Sequence, residues 1–171
     1  MPTYDNTSAS LEAVQAIADR EDLDPKDKLR DLLALGNSWF QTASGLVSMV
    51  KDGRYIVMHC VSEEAEVESG TEFALEDTYC SHTLKAAEPV AFHRAGTSEI
   101  SGHPCYDMFQ LETYVGAPVV IDGATWGTVN FTAIEPRAPF EAQDLKLMAQ
   151  LSAAVGRALA DAGQAGSGQA A

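Results

Sequence analysis

The stretch LETYVGAPVVIDGATWGTVNFT, from Leu111 to Thr132, decides the fold of this chain. It contains two β-prone runs, Tyr114–Ile121 and Thr125–Thr132, on either side of the pair Asp122-Gly123. An Asp-Gly pair between such runs is the strongest short-range signal for a β-hairpin with a type I′ turn, because both central residues of that turn need a positive φ. The stretch therefore predicts the centre of an antiparallel sheet.

The second run of this hairpin alternates in character, and successive side chains of a strand point to opposite faces of the sheet. The face predicted to be polar carries Trp126, Thr128, Asn130 and Thr132. The opposite face carries Val129 and Phe131, and Gly127 leaves room for a close neighbour. The polar face is predicted to meet either solvent or a polar molecule that the protein binds.

Length and composition indicate one globular domain. The chain has 171 residues, of which 46% are hydrophobic and 21% are charged, enough to form its own core. The chain has 11 lysines and arginines and 25 aspartates and glutamates, so its formal net charge is −14. Because an acidic surface repels phosphate backbones and anionic lipids, we expect neither nucleic acid nor a membrane as a partner.

The sequence predicts neither a targeting signal nor a metal motif. Met1–Ser10 lacks the basic start and apolar run of a signal peptide, and no run of about 18 apolar residues could span a membrane. We therefore expect a cytoplasmic protein. Cys60, Cys80 and Cys105 form no CxxC pair and no metal-ligand spacing, which predicts neither a disulfide framework nor a structural metal.

Two helices and a second hairpin are predicted before residue 62. Ser10 is expected to cap a helix over Leu11–Arg20. A second helix, capped by Asp24 with Pro25 in its first position, is expected to run to about Phe40. Beyond it, Asp52-Gly53 between two β-prone runs repeats the hairpin signal; these runs are Gly45–Lys51 and Arg54–Val61.

The rest of the chain alternates short elements with loops and ends in a long helix. The predicted loops are Ser62–Gly70 and Ala95–Pro104, the predicted strands Thr71–Leu75 and Pro89–His93, and the predicted helices Tyr79–Ala87, Pro104–Gln110 and Glu141–Leu159. The apolar stripe of the last helix is expected to pack on the sheet or on a partner helix. We divide the chain into an N-terminal helical extension over 1–23, a domain over 24–160 and a disordered tail over 161–171.

This order of elements resembles the GAF domain, a small-molecule-sensing relative of PAS domains. The segment GLVSMVKDGRYIVMH looks like the first hairpin of that family, and TYCSHTLKAAEPVAF looks like the short helix and strand beside its ligand cavity. The segment YVGAPVVIDGATWGTVNF resembles the family's most recognisable part, and PRAPFEAQDLKLMAQLSAAVGRAL resembles its closing helix. Together these segments cover roughly Leu29–Leu159.

The resemblance implies an α+β fold in which a central antiparallel sheet carries the terminal helices on one face. On the other face, short helices and a lid loop would cover a cavity. It also implies a cytoplasmic sensory module that binds a small molecule and acts through a homodimer of its terminal helices or through a separate signalling protein. A domain that only dimerises around a filled cavity stays open as an alternative.

Ten residues are predicted to contact a ligand in that cavity. In the short helix, Tyr79, Cys80 and Thr83 can share one face because residues three and four apart are neighbours, whereas His82 is expected on the surface. The other candidates lie in the lid or in the central strands: His93, His103, Cys105, Tyr106, Tyr114, Thr128 and Asn130. For Cys80 the competing interpretation is a small buried apolar side chain, and for Thr128 and Asn130 it is an internal hydrogen-bond network.

The resemblance also raises other chemistries of the same fold. A free methionine sulfoxide reductase would need a nucleophilic and a resolving cysteine, for which Cys80 and Cys105 are available, but the central strand offers Asn130 instead of an acid. Covalent bilin is not expected, because Cys105-Tyr106 replaces the usual Cys-His pair. Haem would need His93 or His103 as an axial ligand and is disfavoured. We assign no catalytic residue, no metal and no particular cofactor.

Overall fold

A computed structural model describes residues 6–64 and 66–163, which form a six-stranded antiparallel sheet and five α-helices. The elements in chain order are α1 (Asn6–Ala18), α2 (Pro25–Phe40), β1 (Ser44–Lys51), β2 (Arg54–Ser62), β3 (Glu72–Ala74), α3 (Cys80–Ala86), β4 (Val90–Phe92), α4 (Pro104–Phe109), β5 (Thr113–Ile121), β6 (Ala124–Ala133) and α5 (Ala142–Asp161). The strands lie side by side in the order β3-β2-β1-β6-β5-β4. Among the described helices, none is both long and apolar enough to cross a membrane.

Both predicted hairpins are confirmed. The turn between β5 and β6 has positive φ at Asp122 (52°) and Gly123 (79°), and the turn between β1 and β2 has positive φ at Asp52 (52°) and Gly53 (72°). Positive φ at both central residues is the requirement of a type I′ turn, whose twist matches that of the flanking strands. The central position of the β5–β6 hairpin follows from its pairing with β1 on one side and β4 on the other.

The predicted start of the second helix is confirmed, and that of the first is wrong. The Asp24 carboxylate accepts the backbone N–H of Lys26 at 2.8 Å, and Pro25 opens α2. In contrast, α1 begins at Asn6 and ends at Ala18, so Ser10 lies inside the helix and does not cap it. A serine ahead of an apolar run is only a local signal, and the helix extends past it towards the N-terminus.

The two faces of the sheet carry different layers, as predicted. The helices α1, α2 and α5 pack on one face and form the main apolar core with inward residues such as Val47, Val129 and Phe131. On the other face, α3 and α4 cover a smaller cluster that contains Tyr55 and Tyr114. The apolar stripe of α5, from Leu147 through Leu151, Val155 and Leu159, is buried within this chain.

Two irregularities interrupt the alternation of the sheet. Val119 pairs with Gly127 and Val120 pairs with Thr125, so Trp126 is an extra residue. Such a β-bulge turns a side chain out of the regular alternation, and Trp126 packs in the main core on the helical face. The prediction that Trp126 shares a face with Thr128 and Asn130 is therefore wrong. A second shift, between β1 and β2, leaves Met58 without a partner.

The predicted close neighbour of Gly127 is confirmed. The carbonyl oxygen of Ser48 lies so near that a Cβ at residue 127 would be only 2.0 Å from it.

The closing helix α5 begins after Glu141, whose side chain forms a capping box with Asp144. Asp161 is the last residue of α5, so the predicted tail does not begin there, and residues 164–171 lie outside the described part of the chain.

Candidate functional site

A cavity of about 240 Å³ lies between the sheet and the lid, the segment His93–Phe109 that contains α4. Its walls come from β1, β2, β3, β5 and β6, from the loop after β2, and from the start of α3. The lining residues are Ser44, Leu46, Tyr55, Glu64, Val67, Phe73, Thr78, Tyr79, Cys80, Cys105, Phe109, Leu111, Tyr114, Asn130, Thr132 and Ile134. The cavity is therefore built from the polar face of the central strands and covered by the lid.

A hydrogen-bond network centred on the Cys80 sulfur forms the buried end of the cavity. The amide of Asn130 donates from Nδ2 to Cys80 Sγ at 2.9 Å, and the hydroxyls of Tyr114 and Thr128 each donate to it at 3.3 Å. Tyr114 also shares a hydrogen bond of 2.7 Å with the hydroxyl of Thr83. One helix and two strands are thus joined through a single thiol.

The network brings five of the predicted ligand residues together, but only three of them face the cavity. Cys80, Tyr114 and Asn130 line it, whereas Thr83 and Thr128 are buried behind them and hold them in place. Thr128 therefore belongs to an internal hydrogen-bond network and does not face a ligand. Asn130 belongs both to the network and to the cavity wall.

Tyr55 was not among the predicted site residues. It lies on β2 and accepts the second Nδ2 hydrogen of Asn130 at a distance of 3.0 Å. Most of the apolar wall of the cavity was not predicted either. The position of Tyr55, an aromatic residue just after the Asp-Gly turn, could have suggested a role in the cavity. However, the bulge at Met58 changes which residues of β2 face the cavity. The face of Tyr55 could not be assigned without that register.

Burial keeps the acids of this end protonated. Removal from water is the main cause that raises the pKa of the Cys80 thiol, and it exceeds the opposing effect of the surrounding donors. The same cause raises the pKa of Tyr55 and Tyr114 well above the usual value, and it raises the pKa of Cys105 to about 12. These four groups are neutral at physiological pH.

The lid is fastened to the sheet by Glu112, at the base of β5. One carboxylate oxygen accepts the hydroxyl of Tyr106 at 3.0 Å, and the other accepts the backbone N–H of Gly96 at 2.9 Å. Tyr106, a predicted ligand residue, therefore does not line the cavity and instead ties α4 down. Beside the lid, the hydroxyl of Tyr79 donates to the carbonyl of Leu111 at 3.0 Å, which joins the start of α3 to the segment between α4 and β5.

Neither of the two lid histidines, His93 and His103, lines the cavity. His103 caps α4, because its Nδ1 accepts the backbone N–H of Cys105 at 3.1 Å, and its ring lies 5.2 Å from that of Tyr79. His82 packs against His103, with ring centroids 5.0 Å apart, and is half-buried, so only part of its side chain lies at the surface. In residues 6–64 and 66–163, no three His, Cys, Asp or Glu side chains are grouped to hold a metal ion.

Comparison with known proteins identifies the family. The sequence profile of the GAF domain matches residues 24–159, and this chain belongs to the GAF domain family. GAF domains are small-molecule-binding sensory domains. No curated protein sequence matches the chain significantly.

Solved structures show the same fold at low sequence identity. The GAF domain of the Acinetobacter phosphoenolpyruvate-protein phosphotransferase has a TM-score of 0.74 at 14% identity, over 96% of this chain and 99% of that chain. Free methionine-R-sulfoxide reductase from Neisseria meningitidis, solved with its substrate, has a TM-score of 0.70 at 13% identity, over 96% of each chain. A phycocyanobilin-bound GAF domain from a cyanobacterial phytochrome has a TM-score of 0.67 at 16% identity, over 91% of this chain and 97% of that chain.

Proposed function

We propose that this protein is a sensory module that binds a small molecule in the cavity beneath the lid and passes the binding event to its terminal helices. The observation that carries the proposal is the arrangement of the central strands. Asn130 and Tyr114 line the cavity, and their chain neighbours Phe131 and Val115 lie in the core beneath the helices. Each strand therefore contacts the ligand site on one face and the output layer on the other.

The contact between β6 and α2 is close enough to transmit a small shift. A Cβ at Gly36 of α2 would lie 2.2 Å from the ring of Phe131, so the ring packs directly against the helix backbone. Phe131 is fully buried and also contacts the ring of Phe40 at 5.4 Å. Packed interiors respond to displacement by moving neighbouring groups, so a movement of Asn130 is passed to α2.

The output surface in this proposal is the outer side of the terminal helices α1 and α5. A second copy of the chain, or a separate signalling protein, would read the position of these helices there. Ligand binding can change that contact only by its differential affinity for the two arrangements.

The thiols support binding rather than nucleophilic catalysis. A catalytic cysteine usually has a lowered pKa because the thiolate is the reactive form, whereas burial raises the pKa of both Cys80 and Cys105. Glu64 is the one carboxylate among the described lining residues, and it is exposed. The described lining residues therefore include no buried carboxylate of the kind that a reductase is expected to need.

The proposal is tested by narrowing the cavity mouth. Ile134 lines the cavity and is 51% exposed, and Val120 is a matched control because it is 54% exposed and lies away from the cavity. Native mass spectrometry of protein purified from its own host would detect a retained small molecule. We expect the wild type and Val120→Trp to retain it and Ile134→Trp to lose most of it.

Two results would contradict the proposal. Equal retention by both variants would place the molecule elsewhere on the protein. The second result is a wild type that retains no small molecule after buffer exchange at several protein concentrations. This result would favour a domain whose cavity binds no ligand.

A further inference from the structure

Among the described residues that line the cavity, Asn130 has a buried side-chain atom whose hydrogen bonding is incomplete. Both Nδ2 hydrogens of Asn130 are used, one by Tyr55 at 3.0 Å and one by Cys80 at 2.9 Å. Its Oδ1 is buried and has no hydrogen-bond partner among the described residues. The Asn130 side chain lines the cavity and the residue is only 4% exposed.

An unsatisfied buried acceptor is costly, and most such groups in folded proteins have a partner. In this arrangement Nδ2 donates to Tyr55 Oη and to Cys80 Sγ, which leaves Oδ1 as the atom of the amide that is open to a partner. A bound molecule that brings an N–H or O–H group to this oxygen would complete the network.

The charge of the lining restricts the ligand further. No Lys, Arg or His occurs among the described residues of the wall, and the carboxylate of Glu64 lies at the exposed end. The thiols and phenols of the buried end are neutral. A charged group placed next to Asn130 would therefore be buried without a counter-charge, which is strongly unfavourable.

The size and the walls give the remaining limits. A volume of about 240 Å³ lies below the range of roughly 300–1,000 Å³ found for drug-sized ligands. Away from Asn130, the wall is formed by apolar and aromatic side chains that include Leu46, Phe73 and Phe109. The space suits an apolar body of about one ring.

We infer that the cavity selects a small, uncharged molecule with an apolar body of about one ring and a hydrogen-bond donor that binds Asn130 Oδ1. This inference rests on the proposed function, because it names the chemical class of the ligand for the same cavity. It excludes anions such as nucleotides, and it excludes pigments that are larger than the cavity.

The test uses four probes with one skeleton that differ in charge and in hydrogen bonding. They are phenylacetamide (neutral donor), methyl phenylacetate (neutral, no donor), phenylacetate (anion) and phenethylammonium (cation). NMR titration of the wild type should show phenylacetamide binding about tenfold more tightly than the ester, the difference expected for one hydrogen bond to a buried acceptor. Both ions should bind more weakly than phenylacetamide.

Two variants assign that preference to the correct atom. Asn130→Leu removes Oδ1, so the ratio of amide to ester affinity should fall to about one. Thr128→Val is the matched control, because Thr128 also donates to Cys80 Sγ but does not line the cavity. Thr128→Val should keep the tenfold ratio of amide to ester affinity, even if it weakens the binding of both probes. A general loss of packing would therefore not produce the loss of preference that is expected for Asn130→Leu.

The inference is overturned if an ion binds more tightly than the amide, or if Asn130→Leu keeps the tenfold preference. It is also overturned if none of the four probes binds. In that case the retained mass in the Ile134→Trp and Val120→Trp experiment decides separately whether the proposed function stands.

Discussion

The contribution of His103 to the lid depends on the protonation state of its imidazole. Its Nδ1 accepts the backbone N–H of Cys105 at 3.1 Å, which requires that nitrogen to be unprotonated. Burial lowers the pKa of His103 from 6.5, and the neighbouring His82 lowers it further. The carboxylates of Asp77 and Glu76 act in the opposite direction, and the ammonium of Lys85 acts with His82, but all three effects are smaller.

Acidification is therefore expected to weaken the lid. Because the folded protein has the lower His103 pKa, the unfolded chain takes up a proton more readily below pH 6.5. The stability that this residue contributes is present above pH 6.5 and is lost as the pH falls through the folded value. An NMR titration should place the His103 midpoint below 6.5, and the free energy of unfolding should decline over the same range.

His103→Asn provides the control for that decline. Asparagine is a good N-cap that does not titrate, so this variant should keep α4 and lose less stability than the wild type on acidification. A His103 midpoint at or above 6.5, or identical pH profiles for the two proteins, would contradict the prediction.

Individual site residues differ in how far sequence could predict them. Cys80 and Asn130 are assigned by simple periodicity, since one begins a short helix and the other lies on the regular part of β6. Tyr55 and Trp126 could not be assigned, because a bulge in the same strand changes the face of each residue. Bulges depend on pairing between strands, and that pairing is not a local property of the sequence.

At the scale of elements, sequence predicts best where one residue type meets a strict backbone requirement. The two Asp-Gly turns and the Asp-Pro start of α2 are of this kind, and they agree with the structure. The start of α1 is a weaker case, because many residues are tolerated in the first turn of a helix. The tight packing of α2 on β6 at Gly36 has no local signal at all.

That packing leads to a prediction for Gly36→Ala. Alanine improves helix propensity by about 1 kcal/mol, but a Cβ here would lie 2.2 Å from the Phe131 ring, which also closely approaches Gly45. Overpacking a core costs about 1–3 kcal/mol, so we expect a net loss of up to about 2 kcal/mol in the free energy of unfolding. Denaturant unfolding measures this change.

Ala34→Gly, at an exposed position of the same helix, measures propensity without packing and should lose about 1 kcal/mol. If Gly36→Ala instead raised the free energy of unfolding by as much as Ala34→Gly lowers it, the Phe131 ring would have room to move. The proposed transmission from Asn130 through Phe131 to α2 would then lose its support.

At the scale of the whole molecule, charge is the dominant electrostatic feature. The formal net charge of −14 comes from 25 acidic and 11 basic residues, and four ion pairs occur among the described residues, all with largely exposed partners. Exposed ion pairs contribute about 0–1 kcal/mol each, and most of the carboxylates have no such partner. Repulsion between carboxylates should therefore exceed these attractions.

Salt should consequently stabilise this protein. Raising NaCl from 10 to 150 mM shortens the screening length from about 30 Å to about 8 Å, which weakens repulsion across the surface. We expect a gain of about 1 kcal/mol, seen as a rise of about 2–4 °C in Tm by calorimetry. The rise should shrink near pH 4, where the carboxylates take up protons. A fall in Tm with salt at pH 7 would show that the attraction within ion pairs exceeds the repulsion between carboxylates, and would contradict the prediction.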